Sequence, residues 1–261
     1  MKIATFNING VRARISTLLD WLAEAQPDVV VLQEIKTQDE AFPAEPIADL
    51  GYAVETHGQK GFNGVAILSK YPLEDVTRGL PGDEADEQAR YIEATVIGSQ
   101  AVRIAGLYLP NGNPAPGPKY DYKLAWMERL RLRAAELMES ELPVVMLGDF
   151  NIIPEPRDAA RPPAWMDDAL FLPQSREAFR RIVNQGWTDA VRIRDPWSTR
   201  GPFTFWDYQA GSWSRDDGIR IDHLLLSPQA ADLLVETGID KEARAGEKPS
   251  DHVPVWVRLA A

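Results

Sequence analysis

The sequence predicts an α/β fold with a core of two β-sheets and helices outside them. Three observations carry this. Short apolar runs rich in β-branched residues recur along the whole chain, each bounded by Pro, Gly, Asn or Asp. Only two or three stretches show the wider spacing of an amphipathic helix. The length, 261 residues at 44% hydrophobic and 26% charged, is globular in composition and sufficient for a large core. No charge block, Gly/Ser tract or low-complexity run separates the halves, so a single domain over 1–261 is expected.

In chain order, Ile3 to Phe6 reads as the first strand, followed by Asn7-Ile8-Asn9-Gly10. Ile15, Leu18, Leu19 and Leu22 share one helix face, and Pro27 lies beyond the helix. Val29 to Leu32 is a buried strand delivering Gln33 and Glu34 at its end. Pro43 and Pro46 interrupt the next region. Tyr52 to Thr56 and Val65 to Leu68 read as neighbouring antiparallel strands joined by the Gly-rich loop 57–64. Tyr91 to Ile97 and Val102 to Leu109 follow the acidic, solvated loop 82–87. Tyr120 to Ser140 is a long helix with Leu124, Met127, Leu130, Ala134, Leu137 and Met138 on one face.

Val144 to Leu147 is the next strand, bounded by Pro143 and Gly148. Ser175 to Gln185 reads as a helix, with Ser175 as N-cap and Gly186 past its C-terminus. Ile219 to Leu226, Val235 to Ile239 and Val253 to Leu259 complete the strands. Phe6-Asn7-Ile8 and Phe150-Asn151-Ile152 each follow an apolar strand, a faint echo that hints at a duplicated sheet unit.

Several functions are excluded by composition. With no cysteine there is no disulfide, thiolate zinc site or cysteine nucleophile. The N-terminus lacks the apolar centre of a signal peptide, and no apolar run approaches the ~20 residues that span a bilayer. A soluble, cytoplasmic protein with no membrane partner is expected. A net charge of -11 argues against coating nucleic acid through a basic surface. Carboxylates masked by a bound cation, with a few local Lys and Arg, would still let an acidic chain hold phosphates.

The chemistry gathers at predicted strand ends: Asn7, Glu34, Tyr108, Asp149, Asn151, Asp222, Asp251 and His252. Each alone has an ordinary role. Asp149 and Asn151 suit Asx-turns, Tyr108 is a good strand residue, and Glu34 is at home on a solvated strand end. Together they suit metal-assisted hydrolysis of a phosphate ester, and no Walker loop, HExxH or GxSxG with its triad offers another chemistry. Glu34 is a natural ligand for Mg²⁺, which takes one or two carboxylates plus water. Asp222 is placed to accept the ring N–H of His252 and favour its imidazolium. Asp149 would activate or orient a water, with Asn7 and Asn151 holding it.

These residues carry a family resemblance. The chain resembles the exonuclease III branch of the endonuclease/exonuclease/phosphatase superfamily over nearly its full length. The matching segments are Phe6-Asn7-Ile8-Asn9-Gly10, Leu32-Gln33-Glu34, Gly58-Gln59-Lys60-Gly61, Tyr108-Leu109-Pro110-Asn111-Gly112, Gly148-Asp149-Phe150-Asn151, Gly218-Ile219-Arg220-Ile221-Asp222 and Ser250-Asp251-His252. The resemblance implies a four-layered α/β sandwich, two mixed β-sheets packed face to face with helices outside, and a site at one edge of the sheets. It implies Mg²⁺, with Mn²⁺ as a substitute, bound by Glu34 with Asp251 and Asn9 nearby. Asn9 stands where some members carry an acid. Tyr108 would meet the scissile phosphate and Asp149 the attacking water, supported by Asn7 and Asn151, while Asp222 orients His252.

The implied partner is double-stranded DNA with abasic sites or 3′ ends, bound by a monomer. The implied reaction cuts 5′ to an abasic site and trims 3′ ends as exonuclease and 3′ phosphatase or phosphodiesterase. Arg12, Lys36, Lys60, Asn111 and Arg220 are the expected substrate contacts, with Lys119 and Arg215 beside the same loops. Phe205 and Trp206, with Phe203 and Trp213 close by, would wall a pocket for the baseless sugar. One alternative is a superfamily phosphatase or phosphodiesterase acting on inositol phosphates or phospholipid headgroups. A second is a non-catalytic DNA-binding relative.

Overall fold

A computed structural model describes residues 1–260. The chain runs through β1 (Lys2–Asn7), α1 (Ile15–Ala25), β2 (Val29–Gln33), α2 (Ala44–Ala48), β3 (Ala53–His57), β4 (Val65–Ser69), β5 (Leu73–Arg78), β6 (Tyr91–Ile97) and β7 (Ala101–Tyr108). It continues through α3 (Pro118–Met138), β8 (Val144–Asp149), α4 (Pro173–Val183), β9 (Thr188–Asp189), α5 (Ala190–Arg194), β10 (Asp222–Leu226), α6 (Pro228–Asp232), β11 (Leu234–Ile239) and β12 (Val255–Leu259). Among the described residues no helix is long and apolar enough to cross a membrane.

Two mixed six-stranded sheets form, in the orders β11-β12-β1-β2-β4-β3 and β5-β6-β7-β8-β10-β9. Period-2 alternation sorts their side chains into layers. Val145 and Leu147 of β8 meet Ile3, Val29, Val31, Ile67 and Val255 between the sheets. Val144 and Met146 face the other way, onto Trp126, Met127 and Leu130 of α3 and Phe179 of α4. Ala4 and Phe6 of β1 pack outward on Leu18, Trp21 and Leu22 of α1. Three apolar layers between four structural layers give the α/β sandwich. Strands β2 and β8 are covered on both faces, so they read as continuous apolar runs.

Both sheets repeat one topology. A parallel pair joined by a helix lies at the centre, β1-α1-β2 in one and β7-α3-β8 in the other. Each is flanked by an antiparallel pair of strands on either side. The duplicated unit therefore matches β1 with β7 and β2 with β8. The Phe-Asn-Ile echo, which pairs the ends of β1 and β8, points to non-equivalent strands and is a coincidence of composition.

Local differences from the sequence reading have physical causes. α4 begins at Pro173, not at Ser175, with Leu172 in the capping position. Ser175 is buried inside the first turn, where its hydroxyl donates to the Ala169 carbonyl at 2.6 Å and bonds Tyr120 Oη at 3.0 Å. β10 starts at Asp222, because Ile219 is held by single bridges to Ala159 and Phe205 instead of a ladder. β5, an edge strand exposed along much of its length, gave no clear apolar alternation.

Candidate active site

The site is assembled by register. Tyr108 of β7 pairs with Asp149 of β8, and Asp149 with Asp222 of β10, so three polar residues occupy one row at one edge of the second sheet. Gly148, just before Asp149, has φ +157°, and a Cβ there would lie 1.9 Å from the Leu107 carbonyl oxygen. Only glycine lets β7 and β8 close at this point. Asn7 ends β1 in the facing sheet, Glu34 follows β2, and His252 precedes β12.

Asn7 joins the sheets. Its Nδ2 donates to Glu34 Oε1 and to Asp149 Oδ2, both at 2.9 Å. Ser250 Oγ donates to the Asn7 carbonyl at 2.7 Å, tying the His252 loop to the end of β1. Glu34 Oε2 lies 2.9 Å from Lys36 Nζ. Burial opposes the charge of Glu34, but the bonds from Asn7 and Lys36 outweigh it and hold the carboxyl below its usual pKa.

His252 is 4% exposed, with Nδ1 2.9 Å from Asp222 Oδ2 and Nε2 3.6 Å from Asp149 Oδ2. Burial disfavours its charge, yet Asp222 and then Asp149 prevail and raise its pKa to about 10. Asp149 is pushed up to about 7 by burial, with the Asp222 charge adding and His252, the Asn151 N–H and Asn7 opposing. Burial, then the charges of Glu34 and Asp149, lift the Tyr108 phenol well above its ordinary value. The phenol therefore keeps its proton and is a donor.

Asp149 and Asn151 serve both of the roles their sequence allowed. The Asn151 N–H donates to Asp149 Oδ1 at 2.9 Å as a turn residue, while both side chains stay at the site edge and Phe150 packs into the core. Asn151 Nδ2 donates to the Leu109 carbonyl at 2.9 Å, and its Oδ1 accepts from Asn111 Nδ2 at 3.3 Å.

Ligand atoms of Glu34, Asp149 and His252 lie within 4.8 Å of one another. An imidazolium has no lone pair to give, so the usable donors are the two carboxylates. Such a set fits a hard cation that fills its remaining positions with water. Asp251 and Asn9, expected beside the metal, stand one step out. Asp251 Oδ1 accepts from Asn9 Nδ2 at 3.1 Å, and Asn9 Oδ1 accepts from Lys36 Nζ at 2.5 Å.

Among the expected substrate contacts, Arg12, Lys60 and Asn111 are exposed at loop surfaces, as is Arg215, and Lys119 is exposed in the first turn of α3. Lys36 is engaged with Glu34 and Asn9. Phe205 is half-buried with its ring 5.0 Å from that of His252, backed by Ile219 and Ile221.

Two residues depart from expectation. Arg220 is 1% exposed and cannot touch DNA: it pairs with Asp158 at 2.7 Å and Asp189 at 2.8 Å and contacts His223. It fastens the start of β10, and so Asp222, to the loop after β8. Trp206 is fully buried between Phe203 and Trp213, its Nε1 bonding Asp216 at 3.2 Å, so it supports the pocket region from behind and forms no wall.

Three contributors escaped the sequence reading. Thr204 Oγ1 donates to Asp222 Oδ2 at 2.6 Å. Arg90 lies 4.8 Å over the Tyr108 ring and donates to the Tyr108 carbonyl at 3.2 Å. Lys123 of α3 is fully buried behind Asn151.

Comparison with known proteins agrees with this geometry. Residues 4–252 match the model of the endonuclease/exonuclease/phosphatase family. Exodeoxyribonuclease III of Haemophilus influenzae is 38% identical over 99% of this chain and 100% of its own. An AP endonuclease structure from Archaeoglobus fulgidus superposes with a TM-score of 0.94 at 35% identity, covering 100% of both chains. The 3′ phosphatase NExo from Neisseria, bound to a product DNA hairpin, superposes at 0.95 with 37% identity, again over 100% of both.

Proposed function

This chain belongs to the endonuclease/exonuclease/phosphatase family, and we propose that it is a Mg²⁺-dependent DNA-repair nuclease. It hydrolyses the phosphodiester 5′ to abasic sites, leaving a 3′-hydroxyl, and trims 3′ ends. It acts as a monomer on double-stranded DNA in the cytoplasm. The observation that carries the reading is the single cluster in which Asn7 bridges Glu34 to Asp149 while His252 stands between Asp149 and Asp222. Full-length likeness to exonuclease III and AP endonuclease relatives supports DNA over inositol phosphates.

Glu34 is the proposed anchor of the cation, with Asp149 beside it. The cation would polarise the phosphate and ease departure of the leaving oxygen. Asp149 takes the proton of the attacking water, with Asn7 fixing the carboxylate. The His252 imidazolium and the Tyr108 hydroxyl donate to the non-bridging oxygens as charge builds on the phosphorus. Asp222 holds the ring of His252, and Thr204 holds Asp222. Arg12, Lys60, Lys119 and Arg215 meet backbone phosphates, which reconciles local binding with the net charge. Phe205 lines the space for the baseless sugar.

An end-labelled duplex with one abasic site, resolved on a denaturing gel with Mg²⁺ or EDTA beside an intact duplex, tests this. A metal-dependent cut at the lesion is expected, with shortening of the intact duplex from its 3′ ends. No product with either Mg²⁺ or Mn²⁺ would overturn it and turn attention to inositol phosphates.

A further inference from the structure

Lys123 has no place in the chemistry above, yet it is 0% exposed on the inner face of α3. Its ammonium donates to two backbone carbonyls, Asn111 at 2.9 Å and Asn151 at 2.6 Å, and forms no ion pair among the described residues. Burial without a carboxylate partner lowers its pKa to about 7, so it is the N–H donors on the two carbonyls that are constant, and a position needing only volume would suit Met or Leu. The two carbonyls belong to the turns that leave β7 and β8, directly after Tyr108 and Asp149. Both turns have backbone that calls for restraint: Asn151 sits at φ +47° and Gly112 at φ +91°. The lysine stem packs flush on the first turn, since a Cβ on Gly112 would come within 2.6 Å of its Cδ. The turns are also tied to each other by Asn111 Nδ2 to Asn151 Oδ1 and by Asn151 Nδ2 to the Leu109 carbonyl.

We propose that Lys123 is a positioning residue of the hydrolytic site: its ammonium clamps the turns after β7 and β8 so that Tyr108, Asp149 and Asn151 meet the phosphate as one unit. This rests on the nuclease reading. It differs from a packing role in one respect. The ammonium acts on where the reacting groups stand, so its loss should appear in turnover and not in binding.

The test compares wild type, K123M and K123R, measuring kcat and KM on the abasic duplex and amide hydrogen exchange over residues 109–113 and 150–153 without DNA. For K123M, kcat is expected to fall roughly 10- to 100-fold, the range that small misplacement of reacting groups produces. KM should stay within about twofold, because ground-state binding is untouched. Exchange should quicken in those two segments alone. K123R, which keeps two donors and the charge, should recover part of the rate. A K123M enzyme with wild-type kcat per folded molecule, even one melting at lower temperature, would reduce Lys123 to packing and overturn the proposal. So would unchanged exchange in both segments. If the wild type itself fails to cut, the nuclease reading falls, and the exchange measurement still decides whether the clamp exists.

Discussion

Replacing Asp222 with Asn isolates what the carboxylate does for His252. Asn keeps an oxygen to accept the ring N–H and removes the negative charge. In the native site the imidazolium persists to about pH 10, with Asp222 the largest influence favouring the charged form. An opposite charge at this distance moves a pKa by roughly 1–3 units, so the ring in Asp222→Asn should titrate near pH 7–9. At 1.36 kcal/mol per unit this is about 1.4–4 kcal/mol lost from the preference for the charged ring. The sign follows directly. In the proposed mechanism the cationic ring is the active form, so activity should fall as pH rises through its pKa, and the variant should fall about 1–3 units earlier. At neutral pH, where a ring titrating near 7–9 is still half or more protonated, the rate should drop only about twofold or less, and the large loss should appear on the alkaline side. Stability moves with it: the raised native pKa contributes stability below the unfolded value near 6.5 that is lost as pH rises towards 10, and the variant should lack most of it. The assays are a pH profile of kcat/KM on abasic duplex and an NMR titration of the ring resonances. Three histidines make assignment tractable, and His223, lowered to about 4 by burial and by Arg220, is well separated. An alkaline limb and a ring titration that do not move in Asp222→Asn would refute the reasoning.

Three further outcomes are expected. Asp149→Asn should lower cleavage by roughly 10³-fold or more while gel-shift affinity for abasic duplex stays within a few-fold, since it removes the base and leaves the phosphate contacts. Glu34→Gln should raise the Mg²⁺ concentration needed for half-maximal rate and weaken metal binding in calorimetry, because a neutral amide replaces the anionic ligand. Arg220→Met should cost roughly 3 kcal/mol in urea unfolding by leaving Asp189 without its guanidinium and buried Asp158 with Arg192 alone, yet leave the salt dependence of DNA binding unchanged, unlike removal of a phosphate contact.

Most of the site was legible because its residues stand where apolar strands stop. Asn7, Glu34, Tyr108, Asp149 and Asp222 stand at, or one residue beyond, the ends of runs that cannot face water, and register does the rest. What resisted reading was concealment by distant chain. Arg220 between two isoleucines looks like an outward strand residue, and nothing local shows that Asp158, 62 residues away, will cover it. Trp206 lay beside Phe205 with equal claim to the pocket, and burial between Phe203 and Trp213 separates them. Lys123 shares a face with Tyr120, Met127 and Leu130, but a charge at a core position reads as a helix surface. The helix cap failed for a similar reason: Ser175 offered the right chemistry, and the Ala169 carbonyl was a better partner. The topology of the duplicated sheets was invisible to short motifs, since equivalence lies in strand order and direction.

The pairing of β1 with β12 has a consequence for the chain as it is made. Lys2 to Thr5 find their partners at Val255 to Arg258, and the amino terminus itself donates to the Leu259 carbonyl at 2.8 Å. The strand synthesised first in this unit waits, one edge open, for one synthesised some 250 residues later, a contact with a high closure cost. The same late segment brings His252. On the proposed mechanism a nascent or truncated polypeptide that carries Glu34, Tyr108 and Asp149 would still be inert, so that completion of the sheet and arming of a DNA-cutting activity would be one event.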